Sequence, residues 1–246
     1  MIVERIDRRV LAAVRFVDAA SGMAVTQPLR VSAPRSRWLR NRSGLYVLAE
    51  LDSLAALADA FVHPAPQDTP APLDLEVEVR DAAGRYLDRR FTLRVPRPAT
   101  AQEPLPADSL FQPVTVAMYP APASAVGYNW AVLRVSAVRS ADPGQGIGGV
   151  VLRVVASADQ RQLAVGVSDT RGEALVAVPG VPITTWGGNG GQVTATETGV
   201  TVEAVHDPAA GGLPDPEAVL ANGAATRKSR DVNLRAGRTE KLSFDF

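Results

Sequence analysis

Between residues 73 and 80, apolar and charged side chains alternate. Leu73, Leu75, Val77 and Val79 fall on one side, and Asp74, Glu76, Glu78 and Arg80 on the other. Successive strand side chains point to opposite faces, so this period of two predicts a half-buried β-strand. After the turn Asp81-Ala82-Ala83-Gly84 the alternation resumes, with Phe91, Leu93 and Val95 inward and Thr92 and Arg94 outward, completing a hairpin. Residues 10–17 predict a buried strand ending at the turn Asp18-Ala19-Ala20-Ser21-Gly22, and residues 29–33 and 45–48 predict short strands. Asp52-Ser53 stands before Leu54, Leu57, Ala58 and Phe61, a cap residue followed by helical spacing, which predicts a short helical crossover.

The second half repeats the style. Residues 114–119, 131–138, 150–156, 163–167 and 174–178 read as strands, with turns at Asp142-Pro143-Gly144 and Asp169-Thr170-Arg171-Gly172. Val200, Val202 and Ala204, then Val232, Leu234, Leu242, Phe244 and Phe246, supply the later strands. One short helix interrupts them: Asp215 caps it, Pro216 fits its first position, and Asn222-Gly223 stop it. From Pro96 to Pro106 the chain is rich in proline and lacks apolar periodicity. It is therefore expected to be extended and semi-rigid, and a domain boundary. The expected layout is a first domain over 1–97, a linker over 98–110 and a second domain over 111–246. Both halves show strand, turn and strand leading to a glycine turn and an apolar strand. The expectation is an all-β protein of two tandem Ig-like or transthyretin-like sandwiches with short helical insertions.

Composition narrows the function. The 46% hydrophobic and 21% charged shares suit a chain that buries a core. With 26 basic and 26 acidic residues, the basic excess typical of nucleic-acid binders is missing. The absence of cysteine removes disulfides, thiolate catalysis and cysteine-ligated zinc. The first nine residues carry charges where a signal peptide needs an apolar run, and no segment approaches the roughly 20 apolar residues of a membrane span. The expected location is cytoplasmic.

Ser168-Asp169-Thr170-Arg171-Gly172-Glu173-Ala174, running through Leu175 to Pro179, resembles the carboxypeptidase regulatory-like, or transthyretin-like, sandwich family. That family shows a small polar residue, an acidic residue, a glycine turn and an alternating strand ending near proline. Asn41-Arg42-Ser43-Gly44-Leu45-Tyr46 stands in the corresponding place in the first half. The resemblance implies a non-catalytic accessory module. The two-domain layout is also similar to accessory proteins of phage-tail-like contractile injection particles, which implies a cap, sheath or baseplate position among other proteins, in several copies.

Candidate chemistry is sparse. His206 neighbours Asp207, but adjacent strand residues face opposite ways, so the pair does not read as an oriented base; His63 precedes Pro64 in a loop. Asp74, Glu76 and Glu78 share a strand face that suits solvation better than a cation. Asp142, Asp159 and Asp169 sit at turns without the spacing of a calcium loop. Gly144-Gln145-Gly146-Ile147-Gly148-Gly149 lacks the lysine of a phosphate loop, and Trp186-Gly187-Gly188-Asn189-Gly190-Gly191 reads as a hairpin connection. No catalytic residue, cofactor or metal site is expected. Arg30, Arg35, Arg37, Arg40 and Arg42 surround Trp38 in an expected exposed loop. Within that loop Arg35, Arg37, Trp38 and Arg40, together with Trp186, are the candidate partner-binding residues, because arginine and tryptophan often dominate interface energies. The expected role is a non-enzymatic structural or adaptor part of a larger protein assembly. A carbohydrate-binding or adhesive surface module and a carboxylate-dependent hydrolase are the alternatives.

Overall fold

The alternating segment at 73–80 is a strand in the computed structural model, which describes residues 10–58, 70–100, 102–185, 194–195 and 197–246. The fold class is the expected one: all-β, in two tandem sandwich units with short helical insertions. Unit 1 comprises Met1–Val17, Ala24–Arg80 and Arg90–Ala117; unit 2 comprises Asp18–Met23, Asp81–Arg89 and Met118–Phe246.

In unit 1 the elements are β1 (Ala12–Asp18), β2 (Arg30–Ser32), β3 (Ser36–Arg40), β4 (Tyr46–Leu51), a 3-10 turn (Asp52–Leu54) running into α1 (Ala55–Ala58), β5 (Leu73–Arg80), β6 (Arg89–Val95) and β7 (Val114–Met118). They form two sheets, ordered β3-β4-β1-β7 and β2-β5-β6. The expected alternation governs β5 and β6: Leu75, Val77, Val79, Phe91, Leu93 and Val95 are all buried. Phe16 on β1 joins the sheets, meeting Tyr46 edge-on at 5.2 Å and Phe91 on β6 at 6.0 Å. Each such fully buried apolar side chain contributes about 1.5–3 kcal/mol.

Two boundaries differ from the layout expected from sequence. Val114–Met118, assigned there to the second domain, is the outer strand beside β1 in a unit 1 sheet. The short stretches 18–23 and 81–89, assigned to the first domain, belong to unit 2, because their backbones bond there. Ala19 N donates to Met118 O at 2.9 Å, Leu87 N to Tyr119 O at 2.8 Å and Ala121 N to Arg85 O at 2.9 Å. Within 97–112 the chain is also tied down. Arg97 Nη2 donates to Ala107 O at 2.6 Å, Ser109 Oγ to Thr100 O at 2.6 Å and Gln112 Nε2 to Leu105 O at 3.0 Å, and Ser109 is fully buried.

Unit 2 continues with β8 (Ala131–Arg139), β9 (Asp142–Gly146), β10 (Val151–Ala156), β11 (Gln162–Val167), β12 (Glu173–Val178), β13 (Thr184–Thr185), β14 (Thr194–Ala195), β15 (Thr198–His206), α2 (Pro216–Ala221), β16 (Thr226–Leu234) and β17 (Thr239–Asp245). One sheet runs β11-β10-β15-β16; the other runs β12-β8-β17, with β9 added to β8. Leu133, Val135, Val176 and Phe244 from the second sheet share one core with Leu152, Val154, Val202 and Leu234 from the first. β10 and β12 are buried along nearly their whole length, which explains their unbroken apolar runs. Asp215 caps α2 as expected, accepting from Glu217 N at 3.1 Å and Ala218 N at 3.2 Å.

Candidate docking surface

Strand order places four connections at one end of unit 2. Ala131 at the start of β8 pairs with Val178 at the end of β12, and β17 begins beside it, Thr239 opposite Val132. In the other sheet Ala156 pairs with Val200, and Thr198 with Leu234. The loops 119–130, 157–161 and 235–238, with residues 179–183 after β12, therefore gather at that end.

Two of these loops are unusual in composition. In a chain that is 21% charged, residues 109–133 contain no Asp, Glu, Lys or Arg, and neither do residues 174–196. The described parts of both also expose apolar side chains: Tyr128 is 92% exposed, Ile183 58% and Val126 40%. The only other described large apolar residues so exposed are Val10, Met23, Leu39 and Phe111. Two backbone bonds and one side-chain bond hold the Tyr128 loop: Trp130 N donates to Gly127 O at 3.3 Å, Gly237 N to Trp130 O at 3.1 Å, and Arg134 Nη1 to Pro122 O at 2.9 Å. The Trp130 ring lies so close over Gly127 that a Cβ there would sit 2.5 Å from it. This stacking presents Tyr128 outward, an aromatic ring facing solvent on an anchored loop. Tyrosine supplies large contact area at low entropic cost, which is why binding loops favour it. Composition held this signal too, in the gap between charges, but the candidate list came from arginine and tryptophan instead.

The arginine–tryptophan segment is not a loop. Ser36–Arg40 is strand β3 at the edge of its sheet, paired with β4 through a bulge at Arg37/Trp38. Its side chains serve that sheet. Arg37 Nη1 bonds Glu50 Oε1 at 2.8 Å, Arg40 Nη2 donates to Thr26 O at 2.6 Å and lies 5.9 Å from the Tyr46 ring centre, and half-buried Trp38 donates to Ser36 Oγ at 3.1 Å. Arg35 stands at the exposed turn before β3 with φ of 51°. A short, bulged, arginine-bearing strand is how sheets keep an edge from pairing further. Trp186 and His63 lie outside the described residues.

The remaining candidates have local duties. Asp207 caps the turn at Pro208, accepting from Ala209 N at 2.9 Å, and takes Asn222 Nδ2 at 2.7 Å. His206 instead packs edge-on against Phe246 at 5.4 Å, with Nδ1 buried and without a hydrogen-bond partner. Burial, then nearby Arg139, lowers its pKa from 6.5, with Asp207 opposing. Glu76 and Glu78 each reach Arg90 at 3.4 Å, so the acidic strip is answered across the strands. Asp169 Oδ1 accepts from Arg171 N at 2.9 Å and Glu173 N at 3.0 Å, and Asp142 and Asp159 accept from Gly144 N and Arg161 N at 3.1 Å. Among the described residues no three His, Cys, Asp or Glu gather as metal ligands, and no helix is long and apolar enough to cross a membrane.

Arg89 is the most buried charge among the described residues. It is 1% exposed, bonds Glu217 with both terminal nitrogens, and lies 3.8 Å from Asp215 and 5.4 Å from the Tyr119 ring centre. Burial first, then Glu217, pushes the Tyr119 hydroxyl up to about 12. The group fastens the 81–89 hairpin to the start of α2.

No family model matches the chain, and no curated protein matches it. Similar solved structures include the Bacillus anthracis TIE protein, 10% identical with a TM-score of 0.31, matching 96% of this chain. The chain spans only 34% of that protein's length. A shaft pilin spaA variant from Lactobacillus rhamnosus GG is 8% identical over 96% of both chains, with a TM-score of 0.26. The Actinomyces fimbrial adhesin FimA is 14% identical over 93% of this chain and 83% of its own, with a TM-score of 0.26.

Proposed function

We propose that the protein is a non-enzymatic structural module that docks onto another protein of a larger assembly. The assembly named by the sequence resemblance is a phage-tail-like contractile injection particle. One observation carries the reading: two charge-free stretches at one end of unit 2, which expose Tyr128 and Val126 on an anchored loop and Ile183 beyond β12. Charged residues are depleted and aromatics enriched at the centres of protein interfaces, and these two stretches have that composition. Elsewhere the described polar candidates are engaged in turns, caps and cross-strand ion pairs, as scaffold residues are. Trp186 falls by sequence within the same uncharged stretch, and the reading includes it. Arg35, Arg37, Trp38 and Arg40 are the second docking candidate, weaker because three of the four are held by their own sheet.

A photo-crosslinking phenylalanine analogue at position 128 tests the reading in the native host. It is expected to trap one defined heavier adduct, and the same probe at exposed Arg94 is expected to trap none. No adduct at 128, or equal adducts at both positions, overturns it. An adhesive or carbohydrate-binding module is the second reading, favoured by a depression of about 250 Å³ in unit 2 lined by Arg153, Thr201, Glu203 and Ser229.

A further inference from the structure

We propose that Asn222–Gly223 is a self-modification site, where the chain converts its own asparagine to aspartate or isoaspartate, and that Asp207 holds the site shut. Asn222 ends α2, its backbone N donating to Ala218 O at 3.0 Å. Its side chain is held at both atoms. Nδ2 donates to Asp207 Oδ2 at 2.7 Å, and Oδ1 accepts from Ala224 N at 2.9 Å. The second bond folds the carboxamide back toward the Gly223 peptide. Gly223 is exposed, and a Cβ there would meet nothing within 4 Å. A backbone nitrogen with no side chain beside it is the least hindered nucleophile the main chain offers.

The chemistry needs only water. The Gly223 nitrogen attacks Asn222 Cγ, its proton passes to Nδ2, and Nδ2 leaves as ammonia while a cyclic imide closes. Water then opens the imide at either carbonyl, giving aspartate or, with the backbone rerouted through Cβ and Cγ, isoaspartate. The leaving atom is the one Asp207 grips. A carboxylate accepts a hydrogen bond but has no proton to hand to the departing nitrogen. Asp207 stays in that form, because the Asn222 bond first, then Ala209 N, holds its carboxyl below the usual 3.8. The closed latch therefore slows the reaction, which proceeds when the end of α2 opens locally. Conversion changes the structure in turn. The product carboxylate faces an ionised Asp207 where a donor stood, so the tie between α2 and the turn at Pro208 becomes a repulsion. Arg227 donates to Leu220 O at 2.8 Å and Asn222 O at 3.4 Å at the same end of α2, so the start of β16 loosens with it.

The site shares no residue with the exposed apolar loop tips, so its test and the docking test fail separately. The full chain would be incubated at mildly alkaline pH, folded and in denaturant. Conversion is read on the peptide that begins after Glu217, as a mass gain of about one dalton. That peptide excludes Asn189–Gly190, the chain's other Asn-Gly step. Asp207→Asn keeps an oxygen for Ala209 N but removes the acceptor for Asn222 Nδ2. It is expected to speed conversion of the folded chain about tenfold, the effect of losing one hydrogen bond to a charged group. Gly223→Ala, where a side chain has room, is expected to slow it below wild type. Asn222→Asp reproduces the aspartate product and is expected to lower the melting temperature. Adding Asp207→Asn to it is expected to restore the melt, since the donor and acceptor of the pair are then exchanged. Wild type converting as fast folded as in denaturant, an unchanged rate in Asp207→Asn, or a wild-type melt for Asn222→Asp overturns the proposal.

Discussion

Gly146 and Gly172 show what single residues decide. A Cβ at Gly146 would stand 1.8 Å from Arg171 O, and one at Gly172, where φ is +80°, would stand 2.2 Å from Ala137 O. The turn after Ser168 therefore nests against β9 with no room for a side chain. The glycine-rich run 144–149, which lacks the lysine of a phosphate loop, is a close backbone crossing. Gly146→Ala is expected to lower stability by about 3 kcal/mol, near the upper end of ordinary single substitutions, in denaturant unfolding. Gly84→Ala, at a positive φ but with open space around it, is expected to cost only about 1–2 kcal/mol. Equal losses at both positions would contradict the crossing. His206 gives a pH prediction. Its folded pKa lies below 6.5, so the unfolded chain takes up the proton first. Stability is full above pH 6.5 and falls as pH drops from there toward the folded value. Thermal melts of His206→Gln are expected to lose that slope.

At the scale of elements, legibility tracked burial. β5, β6 and β17 bury one face, so alternation marked them; Phe244 is 1% exposed in β17, which pairs in parallel with β8. Phe244→Ala is expected to destabilise unit 2 by about 3–5 kcal/mol, and an unchanged melt would remove β17 from the core. α2 was legible because its cap is a local hydrogen bond. β3 was hidden because an edge strand needs no apolar period: in Ser36-Arg37-Trp38-Leu39-Arg40 the two apolar residues are adjacent and do not alternate. β9 read as a turn because Asp142-Pro143-Gly144 is turn chemistry, and only pairing with β8 makes it a strand. The 97–112 stretch looked like a linker because its bonds are made by carbonyls that composition does not reveal. Arg97→Ala is expected to speed proteolysis there, since Arg97 spans to both Ala107 and Ser109. An unchanged cleavage rate would leave the stretch a simple linker.

At the scale of the whole molecule, the two-sandwich architecture was readable, because it needs only a count of strands and turns. The unit boundaries were not, since stretches 18–23 and 81–89 belong to unit 2 through backbone bonds made far along the sequence. The proposed docking surface was not legible in the arginine–tryptophan run: Tyr128 stands out only once the strand order brings its loop to the same end as Ile183. On the proposed reading, a scaffold whose polar groups serve its own fold, with two charge-free stretches exposed at one end, acts by being held in place. Size fractionation of a gentle lysate from the native host tests this most directly, with wild type beside a Tyr128→Ser/Ile183→Ser variant. The account predicts that the wild-type protein travels with a large complex and that the variant, equally stable, runs near its own 25.9 kDa. A wild-type protein that itself runs alone at that mass would contradict it.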